Sequence, residues 1–146
     1  MKRSERTTTW TLIMSAGLIL TVILSSCNKE PAASEEQIIK DVSYGESVQQ
    51  KMDIYLPDDR SRASTKTVVF IHGGGWVEGD KSEMNPYVDT LRKLMPGYAV
   101  VNMNYRLAWN NSVNLFPTQE NDVKSAIEYY LNHAEEYVVS DDLVLL

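Results

Sequence analysis

The sequence holds a single cysteine and two histidines. One thiol cannot close an internal disulfide, so a disulfide framework and dithiol redox chemistry are both excluded. With only two histidines beside it, no zinc-ligand set is available and no metal is expected. Positive charge is also scarce: 20 acidic against 14 basic residues give a formal net charge of −6. Residues 1–26 carry Lys2, Arg3 and Arg6 against only Glu5, so without them the charge moves to −8. A chain of that sign is a poor match for a phosphate backbone, and no nucleic-acid partner is expected. Long apolar runs are missing too. The longest stretch, residues 12–24, is too short to span a bilayer comfortably. No internal repeat is visible, and 146 residues leave room for one domain at most.

The N-terminal stretch reads as an address. Lys2, Arg3 and Arg6 form a basic start, and residues 12–24 (LIMSAGLILTVIL) form an apolar core interrupted only by small residues. Leu24-Ser25-Ser26-Cys27 follows and resembles the bacterial lipobox, whose cysteine takes a diacylglycerol and becomes the new N-terminus after cleavage. The alternative is an uncleaved single-span anchor with an incidental cysteine. Residues 1–26 are accordingly expected to be a lipoprotein signal peptide, with Cys27 as the lipidation site. Residues 27–37, polar and containing Pro31 and small residues, are expected to be a flexible tether. The protein is then exported and held on a membrane through Cys27, on the periplasmic or cell-surface side.

From residue 38 onward, short apolar runs alternate with helical periods, as in an α/β domain. Residues 38–44 and 52–56 read as an antiparallel pair joined by a turn around Gly45. Residues 67–72 (TVVFIH) have the continuous β-branched character of a strand covered on both faces. Tyr87, Leu91, Leu94 and Met95 fall at helical spacing, and Pro96-Gly97 stops that helix. Residues 98–104 form the next strand. Val123, Ala126, Ile127, Tyr130 and Leu131 line one face of a second helix, and residues 143–146 begin another strand. This order predicts right-handed parallel crossovers following an antiparallel opening hairpin.

His72-Gly73-Gly74-Gly75-Trp76 falls at the C-terminal end of the third strand, where open α/β sheets place their binding crevices. A lone glycine triplet reads equally as a flexible turn. Glycine also permits positive φ and close approach of a ligand to the backbone, so such a run is able to aim several N–H groups at one anionic oxygen.

The wider pattern favours the second reading. Met52-Asp53-Ile54-Tyr55-Leu56-Pro57, HGGGW with Gly79-Asp80-Lys81, Gly97-Tyr98-Ala99-Val100-Val101 with Asn104-Tyr105-Arg106-Leu107, and Phe116-Pro117 with Asp122-Val123-Lys124-Ala126 follow one another. In that order they resemble the esterase and lipase branch of the α/β-hydrolases, the group of bacterial feruloyl and acetyl esterases. The resemblance implies that residues 38–146 form the N-terminal half of an α/β-hydrolase domain with an incomplete sheet. It implies a carboxylic-ester hydrolase, acting on small-molecule esters or on acetylated or feruloylated polysaccharide, without a cofactor. The backbone N–H groups of Gly73 and Gly74 would form the oxyanion hole, Gly75 would give clearance, and His72 would brace the loop rather than act as a base. Asp80, Tyr105 and Arg106 either tie the loop to neighbouring turns or are ordinary surface and cap residues. Trp76 either walls the acyl or sugar side of the pocket or packs in the core.

The reaction of that family needs a serine on a G-x-S-x-G elbow, then an acid, then a histidine. None of the three can be assigned. Gly45-Glu46-Ser47-Val48-Gln49 lacks the second glycine, and Ser47 falls in the opening hairpin. His72 belongs to the glycine loop, and His133, in the polar tail of the second helix, is expected to be exposed. The chain is therefore expected to be a truncated or frame-shifted reading frame, inactive by itself, with the apolar edge of its last strand an aggregation hazard. A non-catalytic lipid-anchored binding protein and a non-functional gene remnant are the competing expectations.

Overall fold

The computed structural model describes residues 35–110 and 112–146. The expected signal peptide, Cys27 and most of the tether lie outside the described residues. Five strands form one sheet in the order β1-β2-β4-β3-β5: β1 (Gln37–Ser43), β2 (Lys51–Leu56), β3 (Thr67–Ile71), β4 (Ala99–Met103) and β5 (Leu143–Leu145). β1 and β2 pair antiparallel, as do β2 and β4. β3 runs parallel to both β4 and β5. The helices are α1 (Asn85–Leu94), α2 (Thr118–Asn132) and α3 (Ala134–Tyr137), with a 3-10 turn at Lys81–Met84 before α1. This is the α/β architecture expected, with mostly parallel central strands and helical crossovers.

Each face of the sheet has its own apolar layer because β2, β3 and β4 carry large side chains at both parities. Met52, Ile54, Val69, Val101 and Met103 pack with Ala126 and Tyr130 of α2 and with Tyr137 and Val139 beyond it. On the opposite face Tyr55, Val68, Phe70 and Val100 meet Val88 of α1. The Tyr130 hydroxyl and Thr67 Oγ1, both buried, lie 2.8 Å apart, which satisfies two polar groups where α2 crosses the base of β3.

Two expected helix faces are shifted. In α1 the innermost residue is Val88, fully buried, with Met84 and Leu91 beside it, whereas Tyr87, Leu94 and Met95 are exposed. Met84, Val88 and Leu91 form an i, i+4, i+7 stripe that competes with the one expected, and the Phe70 face of the sheet selects it. In α2, Ala126 and Tyr130 are buried and Val123 packs against the core, but Ile127 and Leu131 are only half-buried. The inner face of α2 begins instead with two polar residues, Gln119 and Asp122.

His133 is not exposed as expected. It is half-buried at the C-terminal end of α2, its ring stacked 4.2 Å from that of Tyr129 and 5.9 Å from that of Tyr137. Its Nδ1 donates to the Tyr129 carbonyl at 2.7 Å. The spacing of four residues continues across the break between α2 and α3, so the three rings form one column.

The edge strand β1 carries a bulge between Ile39 and Val42, with Asp41 at φ 54°. The bulge turns Lys40 and Asp41 toward the buried Asp53 of β2: the Asp41 N–H donates to its Oδ1 and Lys40 Nζ to its Oδ2, each at 3.0 Å.

Candidate active site

The glycine loop leaves the C-terminal end of β3 and returns to the 3-10 turn at Lys81. His72 is buried, and its ring stacks on that of Tyr105, with centroids 4.2 Å apart and planes 11° from parallel. The Tyr105 hydroxyl donates to the His72 carbonyl at 2.7 Å and lies 3.2 Å from the Gly73 carbonyl. His72 Nδ1 donates to that same Gly73 carbonyl at 2.7 Å, which requires the ring proton on Nδ1. His72 Nε2 is buried and has no partner among the described residues.

These bonds orient more than two carbonyl groups. In a trans peptide the C=O of one residue and the N–H of the next point in opposite directions. Holding the His72 carbonyl on Tyr105 therefore turns the Gly73 N–H away from that hydroxyl. Holding the Gly73 carbonyl on His72 and Tyr105 does the same for the Gly74 N–H. Neither N–H has a backbone acceptor among the described residues. Both point to the side of the loop facing away from the Tyr105 hydroxyl.

Two glycines have steric reasons to be glycine. Gly74 has φ 112°, and a Cβ there would stand 1.9 Å from the Glu78 carbonyl oxygen. That carbonyl belongs to a tight return in which the Val77 and Glu78 N–H groups both donate to the Gly74 carbonyl at 3.1 Å. Gly79 has φ 104°, and a Cβ there would stand 2.5 Å from His72 Nδ1. The end of the loop is thus packed on the ring that supports its beginning. By contrast, a Cβ at Gly73 or Gly75 would meet nothing within 4 Å.

Trp76 adopts φ 69°, an unfavourable region for a bulky residue. It is held there by its carbonyl, which accepts from the Ala108 N–H at 2.8 Å, and by an edge-to-face contact with Tyr105 at 5.0 Å. Of the two readings open for Trp76, core packing is excluded: it is 45% exposed, beside Val77 at 59% and Trp109 at 66%.

Asp80 caps the 3-10 turn, its Oδ1 accepting from the Ser82 N–H at 2.8 Å and its Oδ2 from Asn104 Nδ2 at 2.7 Å. The hydrogen bonds from Ser82 lead in lowering its carboxyl, which sits at about 2, while partial burial opposes them and Asn104 and Lys81 assist. Asp80 therefore does tie the loop to the turn after β4. Among the described residues, the hydrogen bonds of Arg106 run to Asp122 and Gln119 and not to the loop. Its guanidinium grips the buried Asp122 of α2, with NH2 to Oδ1 at 2.6 Å and Nε to Oδ2 at 2.9 Å. The Arg106 N–H also reaches Asp122 Oδ2 at 2.9 Å, and Gln50 Nε2 donates to Oδ1 at 2.9 Å. Arg106 thus fixes the turn that carries Tyr105.

Asp53, Lys81, Asn102 and Asn104 also hold this loop, and the sequence reading assigned them no role. The signal was present in part: an aspartate inside the apolar strand MDIYL and two asparagines at period two in YAVVNMN are anomalous for buried strands. Among the described residues, no serine is hydrogen-bonded to either histidine. Among the described residues, the histidine hydrogen bonds run to Gly73, Tyr105 and Tyr129, and no group of three His, Cys, Asp or Glu residues is arranged to hold a metal ion.

The family model described as BD-FAE matches residues 52–146, from β2 through the glycine loop to β5. The chain belongs to the BD-FAE family. The BD-FAE chain is 32% identical over 124 residues to kynurenine formamidase of Danio rerio, with 83% of this chain and 41% of that protein covered. A solved bifunctional GH43-CE protein of Bacteroides eggerthii superposes with a TM-score of 0.61 at 32% identity, covering 74% of this chain and 15% of the other. Esterase B of Lactobacillus rhamnosis superposes with a TM-score of 0.62 at 29% identity, covering 80% and 37%. The BD-FAE chain therefore spans less than half the length of each of these proteins, and its fold and family likeness are those of α/β-hydrolase esterases.

Proposed function

We propose that this chain supplies the oxyanion-binding half of a carboxylic-ester hydrolase that works by acyl transfer to a serine. The observation that carries the reading is the convergence of the His72 and Gly73 carbonyls on the Tyr105 hydroxyl, with the Gly73 and Gly74 N–H groups turned away from it and without a backbone acceptor among the described residues. Two preorganised N–H donors stabilise the negative oxygen of a tetrahedral intermediate, and losing one such donor costs about 100- to 1000-fold in rate. Gly75 leaves the approach to them open. The serine, acid and base are not joined within the described residues, and the chain spans 41% of its formamidase relative. The nucleophile and base are therefore assigned to polypeptide other than the residues described, and the chain alone is expected to be inactive.

The substrate class proposed is an acetyl or feruloyl ester on polysaccharide, or a related small-molecule ester. Trp76 and Trp109 stand exposed beside the loop, and exposed indole faces suit sugar and aromatic rings. The GH43-CE neighbour favours the polysaccharide form. An exported protein anchored through Cys27 would meet such a substrate outside the cytoplasm.

The test is to read the DNA through and beyond codon 146, express the product of that reading frame, and assay it on acetylated and feruloylated xylan and on p-nitrophenyl acetate. A G-x-S-x-G elbow with ester hydrolysis is the expected result. A product with no elbow and no hydrolysis overturns the reading. It would favour a lipid-anchored protein that uses the loop to bind anions or carbohydrate without turnover.

A further inference from the structure

The start of the glycine loop is held by Tyr105, but a loop with one fixed end would still swing. The return end, Gly79-Asp80-Lys81, is held by a second set of groups on β2 and β4. Lys81 Nζ, its side chain only 13% exposed, donates to Asp53 Oδ1 at 2.7 Å and to Asp41 Oδ1 at 3.1 Å. The Lys81 N–H donates to Asn104 Oδ1, and the Lys81 carbonyl accepts from Asn102 Nδ2 at 2.7 Å. Asp53 and Asn102 are direct cross-strand partners, so the two strands together present one polar pocket in an otherwise apolar sheet. Asp53 is itself buried and has three donors: Lys81, Lys40 and the Asp41 N–H.

We propose that Lys81, seated on Asp53, is a positioning residue for the glycine loop. It fixes the height at which Gly79 packs under His72, and through His72 the orientation of the Gly73 and Gly74 N–H groups. The inference rests on the oxyanion-hole reading for its purpose, although its geometry does not. A buried ion pair adds little net stability compared with an apolar pair, yet breaking one side of it strands a buried charge. Here the stranded group would be Asp53, and Lys40 remains to neutralise it from the solvent side. Removing Lys81 is therefore expected to release the loop more than it weakens the sheet.

The control is built into the site. Lys40 and Lys81 pair with the same carboxylate, but Lys40 lies on β1 and bears no part of the loop. The full chain, labelled with 15N, is compared as wild type, Lys81→Met, Lys81→Arg and Lys40→Met by backbone relaxation. In Lys81→Met the order parameters from Gly73 to Glu78 are expected to fall from about 0.85 to below about 0.6, while those of Val69 and Val101 hold. Lys40→Met is expected to leave the loop as in wild type, and Lys81→Arg to restore much of its order. A Lys81→Met chain whose loop stays rigid overturns the proposal. So does one in which loop and strands loosen together, or a Lys40→Met chain that behaves like Lys81→Met. Should Lys81→Met fail to fold, Lys81→Ala, which removes the donor without placing an apolar tip against Asp53, is read by the same criteria. Because the readout is loop order and not turnover, an ordered loop in a product that hydrolyses nothing defeats the functional reading alone. A hydrolase whose loop ignores Lys81 defeats this inference alone.

Discussion

The Tyr105 hydroxyl and the His72 carbonyl oxygen, 2.7 Å apart and both buried, join the turn after β4 to the end of β3 at the base of the glycine loop. Tyr105→Phe removes that bond and keeps the ring that stacks on His72. A buried carbonyl left without its donor costs about 1–3 kcal/mol. The urea midpoint is therefore expected to drop by that equivalent, with the amide resonances of Gly73 and Gly74 moving further than those elsewhere in the sheet. Unmoved glycine resonances in a destabilised Tyr105→Phe chain would mean that the hydroxyl supports the fold but does not orient the loop.

Gly79 and Gly73 give a contrast within one loop. Gly79→Ala places a Cβ 2.5 Å from His72 Nδ1 at a φ of 104°. The ring must move or the turn must open, and a loss of at least about 2 kcal/mol is expected from strain and the broken His72–Gly73 bond together. Gly73→Ala meets nothing within 4 Å and needs no left-handed backbone, so its unfolding midpoint should stay within about 0.5 kcal/mol of wild type. Comparable losses for the two variants would refute the packing assigned to Gly79.

The strands and the loop were legible because their signals are local. Thr67 to Ile71 and Ala99 to Met103 are apolar at every position or nearly so, as buried parallel strands require. The glycine triplet follows β3 after the single residue His72. The inner face of α1 was not legible, because Met84-Val88-Leu91 and Tyr87-Leu91-Leu94 are both acceptable stripes, and only the sheet beneath them chooses. His133 was misjudged since it stacks between Tyr129 of α2 and Tyr137, which lies beyond the helix break. The Lys81–Asp53 pair joins residues 28 positions apart, one in β2 and one in the 3-10 turn after the glycine loop, and residue spacing does not announce such a contact.

Arg106 and Asp122 are unequal partners. The aspartate side chain is 1% exposed and the arginine 34%. Arg106→Ala leaves a buried carboxylate with only Gln50 and the backbone N–H of residue 106, and is expected to cost about 3 kcal/mol. Asp122→Asn keeps an acceptor for the same N–H and lets the guanidinium turn to water, so about half that loss is expected. The ordering of the two unfolding free energies in urea is the check, and an Asp122→Asn chain less stable than Arg106→Ala contradicts it.

The return end of the loop is sensitive to acid. Hydrogen bonds from Ser82 lead in drawing the Asp80 carboxyl from 3.8 to about 2. For Asp53 burial pushes upward, but Lys81, the Asp41 N–H and Lys40 together hold it below 3.8. A carboxyl whose folded value lies below its unfolded one stabilises the fold above the unfolded value, and that contribution disappears as the pH falls through the folded value. Both contributions are thus complete above about pH 4, and that of Asp80 fades from there toward pH 2, where protonation also removes the cap on the 3-10 turn. Urea midpoints taken at intervals across that range should decline in wild type and decline less in Asp80→Asn, which cannot protonate there. Parallel curves for the two chains would show that the acid sensitivity lies elsewhere, and would leave the Asp80 cap without a part in it.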